Sequence, residues 1–115
     1  MLRTKNAGID FSAIPENRED RDGNCYELSA RFTMANTEWK VVHATLYPNA
    51  GPFKDKPFPH AFCELNDTLV YDPVFDRFYL SGRYYKFTRV TNPRKYSVTE
   101  ATKEMLRTKM YGPWE

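Results

Sequence analysis

Between residues 25 and 36 the apolar side chains fall at three- and four-residue steps: Cys25, Leu28, Phe32 and Ala35, with Tyr26, Ala30 and Met34 widening the stripe. That spacing lines one face of a 3.6-residue turn and predicts a core-facing helix. Ahead of it, Asp22-Gly23 signals a turn, and Asn24-x-x-Glu27 has the form of a capping box that makes Cys25 the first helical residue. Over residues 39–47 the period drops to two and the residues become β-branched and aromatic, which predicts a strand. Residues 48–59 hold four prolines and a glycine. Proline has no N–H to give to a ladder, so an irregular loop is expected there, ending just before His60.

The segments HAFCEL and TLVYDPVF flank Asn66-Asp67 and predict an antiparallel hairpin. Two more strands are expected at residues 77–80 and 83–90, separated by Ser81-Gly82. After Asn92-Pro93, Ser97-x-x-Glu100 is a capping box, predicting a helix that stops before Tyr111-Gly112-Pro113 and docks on a sheet edge through Val98, Ala101, Met105 and Leu106. Residues 1–22 are polar and turn-rich, a loosely structured arm ahead of a single domain at 23–115. MLRTK stands at both 1–5 and 105–109, too short a recurrence to make a repeat architecture. The pattern is that of an α+β domain: a Cys-bearing helix packed on an antiparallel sheet of four or five strands, with a capped C-terminal helix.

Composition sharpens this picture. With 115 residues, eight Tyr, eight Phe and two Trp, the chain can build one core and has too many aromatics to stay disordered. No apolar run approaches a bilayer span, and MLRTKNAGIDF lacks the features of a secretory leader, so a cytoplasmic protein with free thiols at Cys25 and Cys63 is expected. The net charge of +2 is uneven, with eight Lys/Arg against three acids from Arg83 onward. A basic end can meet nucleic acid, but no nucleic-acid motif accompanies it, so nucleic acid is not the expected partner.

The order Cys25, His60, Asp72 is the order of a nucleophile, a general base and a carboxylate that orients the base. Cys25 gains from its position, because unpaired N–H groups and the helix dipole favour a thiolate at a helix start. Hairpin parity sets a condition. A two-residue loop would oppose Ala61 to Asp72 and turn His60 and Asp72 to opposite faces, whereas three loop residues, 65–67 or 66–68, bring them to one face, opposed or diagonal. The triad therefore requires an odd loop or a β-bulge. Cys63 points away from His60 and into the core by the same parity. His43 in mid-strand is expected to be a satisfied or exposed strand residue. Cys25, Cys63, His43 and His60 lack the short spacings of a zinc set, so no metal and no cofactor is expected.

These words, GNCYELSARF, WKVVHATLYP and PHAFCELNDTLVYDPVFDRFY, resemble the papain-like superfamily in its transglutaminase-like form, over about residues 23–79. They also resemble small bacterial and phage proteins with that core. Cys25, His60-Ala61-Phe62 and Asp72-Pro73 match the nucleophile, histidine and aspartate motifs. The resemblance implies a papain-like fold and a Cys25–His60–Asp72 triad acting on an amide or ester, as a peptidase, amidase or acyltransferase, with a peptide, protein or small amide as substrate. The family often has a tryptophan near the cysteine or after His-Ala; here Tyr26 and Phe62 take those places. No upstream glutamine matches the oxyanion-hole residue, which leaves the Cys25 N–H and a further donor such as Asn24. A different class of reading is a binding module on the same fold, contacting protein or nucleic acid through Tyr84, Tyr85 and the basic C-terminal part.

Overall fold

The computed structural model describes residues 8–114. Residues 1–7 of the arm, with the first MLRTK, and Glu115 lie outside them. The elements run α1 (Arg18–Arg21), α2 (Cys25–Ala35), β1 (Lys40–Leu46), β2 (Phe58–Leu65), β3 (Leu69–Asp72), β4 (Arg77–Leu80), α3 (Ser81–Thr88), β5 (Thr91–Tyr96) and α4 (Val98–Thr108). The five strands form one antiparallel sheet in the order β4-β3-β2-β1-β5.

Both faces of the sheet are covered, which is why the central strands read as runs of buried residues rather than clean alternations. On one face α2 sets Leu28 and Phe32 against Cys63 and Tyr71, joined by Trp39 and Ile14. Beside this cluster, Ala101 of α4 and Trp114 cover Val41. On the other face α3 places Tyr84 over Val42, Ala44, Phe62 and Val70. Full burial of such side chains contributes about 1.5–3 kcal/mol each before entropy is counted.

The arm is bound into this core over its described part. Ile14 is buried, Ile9 and Phe11 pack beside it, and the Phe11 ring meets Tyr71 edge-on at 5.6 Å. Buried Arg21 donates Nε–H to Val74 O at 2.9 Å and further bonds to the carbonyls of Pro15 and Glu16.

Two expectations are corrected, and one strand is added. Residues 83–90 are not a strand: Ser81–Thr88 is helical. Strand alternation would put Tyr84, Lys86 and Thr88 on one face, whereas the helix buries Tyr84 and leaves Lys86 and Phe87 outside. Asn92-Pro93 lies within a further strand, β5, that the sequence pattern does not announce. Proline is tolerated there because β5 is an edge strand, with a register shift opposite it between His43 and Thr45. The capping box at α2 is not formed either: Asn24 makes no side-chain cap and instead donates Nδ2–H to Asp20 O at 3.1 Å, while Glu27 pairs with Arg31. At α4 the capping box of Ser97 and Glu100 is complete.

Candidate active site

The hairpin decides whether His60 and Asp72 can meet. Asn66 and Asp67 both take positive φ, 52° and 58°, a conformation their short polar side chains tolerate, and Thr68 N–H closes the turn on Leu65 O at 3.0 Å. Thr68 is then one residue too many for a two-residue loop, and pairing resumes at Leu65 with Leu69. The loop is therefore odd, spanning 66–68, and His60 and Asp72 share a face on the diagonal. His60 Nε2 lies 2.8 Å from Asp72 Oδ2.

Asp72 is completely buried at the end of β3. Its Oδ2 also accepts the Tyr84 hydroxyl at 2.8 Å, and its Oδ1 accepts the Val74 N–H at 3.0 Å. Burial by itself would raise its pKa, but the charge and hydrogen bond of His60, with the Tyr84 and Val74 bonds, bring it below the ordinary 3.8. In the same way, burial pulls the pKa of His60 down, and the Asp72 charge and hydrogen bond, with weaker contributions of both kinds from Cys25, lift it above the ordinary 6.5. Both directions favour an imidazolium held on a carboxylate.

His60 is also fixed as a ring. It stacks on Phe58 at 5.3 Å, and Phe53 of the proline-rich loop stacks on Phe58 at 4.6 Å, so that loop backs the histidine through Phe58. With Nε2 taken by Asp72, Nδ1 is left without a hydrogen-bond partner.

Cys25 approaches this ring from the first residue of α2. Although α2 covers the opposite face, β2 is paired with β3 only over Cys63–Leu65, so the sheet edge is open beside His60. The thiol is half-buried and near enough to raise the His60 pKa a little further, although Nδ1 of the ring has no formed hydrogen bond. Apo sites often show such loose contacts, which tighten only with substrate. The Asn24 side chain does not cap α2, so among the described residues its leading N–H groups stay available beside the sulfur.

The other sequence candidates lie elsewhere. Cys63 is sealed in the α2-side core, its thiol donating to Ser29 O at 3.5 Å and its pKa raised by burial. His43, on the α2 face of β1, is neither satisfied nor exposed: it is buried and both ring nitrogens lack hydrogen-bond partners. Burial first, then the charge of Arg94, push its pKa down to about 4. The Asn24 side chain is turned back to α1, away from an oxyanion role. Among the described residues no group of three or more His, Cys, Asp or Glu could hold a metal ion.

Two contributors escaped the sequence reading. The sequence points to Tyr84 as part of an exposed contact face, but it is 4% exposed and donates its hydroxyl to Asp72. Arg21 clamps Val74, whose N–H in turn holds Asp72. A three- and four-residue spacing of Ser81, Tyr84 and Thr88 was the available signal for the first; nothing local marks the second. No protein-family model, curated protein or solved structure matches the chain.

Proposed function

We propose that this domain is a cysteine-dependent acyl-transfer catalyst of papain-like, transglutaminase-like build, working on an amide or ester bond. The observation that carries the reading is the buried His60–Asp72 pair with one free ring nitrogen and a helix-start thiol acting on the same ring. Cys25 in its thiolate form attacks the carbonyl carbon; the C=O electron pair moves onto oxygen, which is received by the uncapped N–H groups at the start of α2. The C–N or C–O bond then breaks as His60 gives its proton to the leaving amine or alcohol, forming an acyl thioester on Cys25. Water or an amine attacks the thioester, His60 takes its proton, and the thiolate departs. Asp72 keeps the ring oriented and charged, and Tyr84 and Val74 keep Asp72 ionised.

The test is the rate of Cys25 alkylation by iodoacetamide between about pH 4 and 9, read by mass spectrometry in the parent and in His60→Ala. A Cys–His pair keeps the rate high well below the free-thiol pKa of about 8.5, and His60→Ala removes that plateau. A plain free-thiol profile, the same in both proteins, overturns the mechanism.

A further inference from the structure

On the α3 side of the sheet a cavity of about 500 Å³ lies between α3, β4 and the turn that precedes β4. Strand alternation turns Arg77 and Tyr79 of β4 to it, and the four-residue step of α3 brings Arg83 and Phe87 to it together. Phe75, from the turn between β3 and β4, adds a further ring, with the Arg18 guanidinium 4.9 Å above that ring.

Tyr84 is the buried part of the wall and joins the cavity to the His60–Asp72 pair. Its hydroxyl donates to Asp72 Oδ2 at 2.8 Å, and the same oxygen lies 2.8 Å from His60 Nε2. The pKa of that hydroxyl is raised by burial first, then by Asp72, with a smaller contribution from Cys25, so the thiol is within electrostatic reach of the same side chain. Phe75 and Phe87, by contrast, are 43% and 57% exposed. Rings left at a cavity in this way gain little from burial until a further apolar group enters.

We infer that this cavity seats the C-terminal aromatic residue of a peptide substrate, its ring against Phe75, Tyr79 and Phe87 and its carboxylate on Arg77 and Arg83. As a substrate subsite it rests on the acyl-transfer reading; the binding itself does not. Aromatic rings pack in offset and edge-on geometries that a wall of aromatic side chains offers, and Tyr79 and Tyr84 already stand tilted at 5.1 Å. A cavity of about 150 Å³ is enough for a benzene ring, so about 500 Å³ admits the ring together with the atoms that join it to a peptide. The planar fork of a guanidinium matches the two oxygens of a carboxylate. Ring and anion must share one cavity, and a C-terminal aromatic residue carries both on a single Cα.

The experiment is an NMR titration of the Tyr79, Tyr84 and His60 ring signals in the full chain and in Cys25→Ala. The probes are N-acetylphenylalanine, N-acetylphenylalaninamide, N-acetylalanine and the dinucleotide TpT, which offers stacking bases with a phosphate. The inference expects saturable shifts of both tyrosines with N-acetylphenylalanine and at least tenfold weaker binding of each of the other three. Phe87→Ala should weaken N-acetylphenylalanine at least fivefold, and Arg77→Gln with Arg83→Gln should bring the acid down to the affinity of its amide. Unmoved tyrosines, or less than a tenfold preference over the amide or N-acetylalanine, overturn it, and TpT binding as tightly as the acid overturns it in favour of a nucleic-acid contact. Binding that leaves the His60 signals in place separates the cavity from the reacting pair and overturns its role as a subsite. Because binding is read at the cavity wall and repeated without the thiol, it fails separately from the chemistry at Cys25.

Discussion

At the scale of single residues, the site is a matter of where charge can sit. The raised pKa of His60 contributes stability that is complete below the ordinary 6.5 and is lost as pH rises through the folded value. The lowered pKa of Asp72 contributes stability present above the ordinary 3.8 and lost as pH falls through the folded value. In Asp72→Asn only burial acts strongly on His60, which turns its shift downward. Thermal melts are therefore expected to show the stability deficit of Asp72→Asn relative to the parent growing steadily as pH falls from about 8 to 5, because the parent's folded state holds the His60 proton over that range and the variant's does not, while the unfolded-chain histidine is common to both and cancels. A deficit independent of pH from about 5 to 8 would mean that His60 does not depend on Asp72 for its charge. Tyr84→Phe keeps the ring and removes one hydrogen bond to a buried carboxylate, a loss of about 1.5–3 kcal/mol in urea unfolding. A loss of only a few tenths would leave Tyr84 as packing alone. At Gly112, φ of 134° and the close approach to His43 and Tyr26 both oppose a side chain, so Gly112→Ala should lower the melting temperature and shift the His43 ring resonances.

Among the elements, the two helix starts make a controlled comparison. Ser97 accepts the Glu100 N–H and Glu100 answers to the Ser97 N–H, whereas Asn24 caps nothing. Ser97→Ala should cost about 1 kcal/mol and Asn24→Ala only a few tenths, measured by denaturant titration. Equal costs would contradict the geometry at α2. The same elements show how far a local pattern can be trusted. α2 and α4 were legible because each carries its own period and start signal. α3 was not, because its alternating polar and aromatic residues fit a strand as well as a helix, and the choice went to the conformation that lets Tyr84 reach Asp72. β5 was hidden by Asn92-Pro93, whose meaning changes once the strand is known to lie at an edge.

For the whole molecule, the two cysteines belong to different environments, and a thiol reagent should see that. The folded protein is expected to release one equivalent quickly, from half-buried Cys25, and the second, from sealed Cys63, only as the protein unfolds. Two fast equivalents would mean that the α2-side core opens. The sequence by itself determined the Cys-bearing helix, the first strand, the proline-rich loop, the hairpin and the capped C-terminal helix, because each is written in spacing, turn chemistry or a cap within a few residues. It also narrowed the pairing of His60 with Asp72 to a matter of parity. Only the tertiary structure decided that parity, through Thr68 as the extra loop residue, and only it brought Tyr84 and Arg21 to their places. Those relations join residues that lie far apart along the chain, and such contacts are settled by which faces the folded sheet leaves to be covered, not by any local rule.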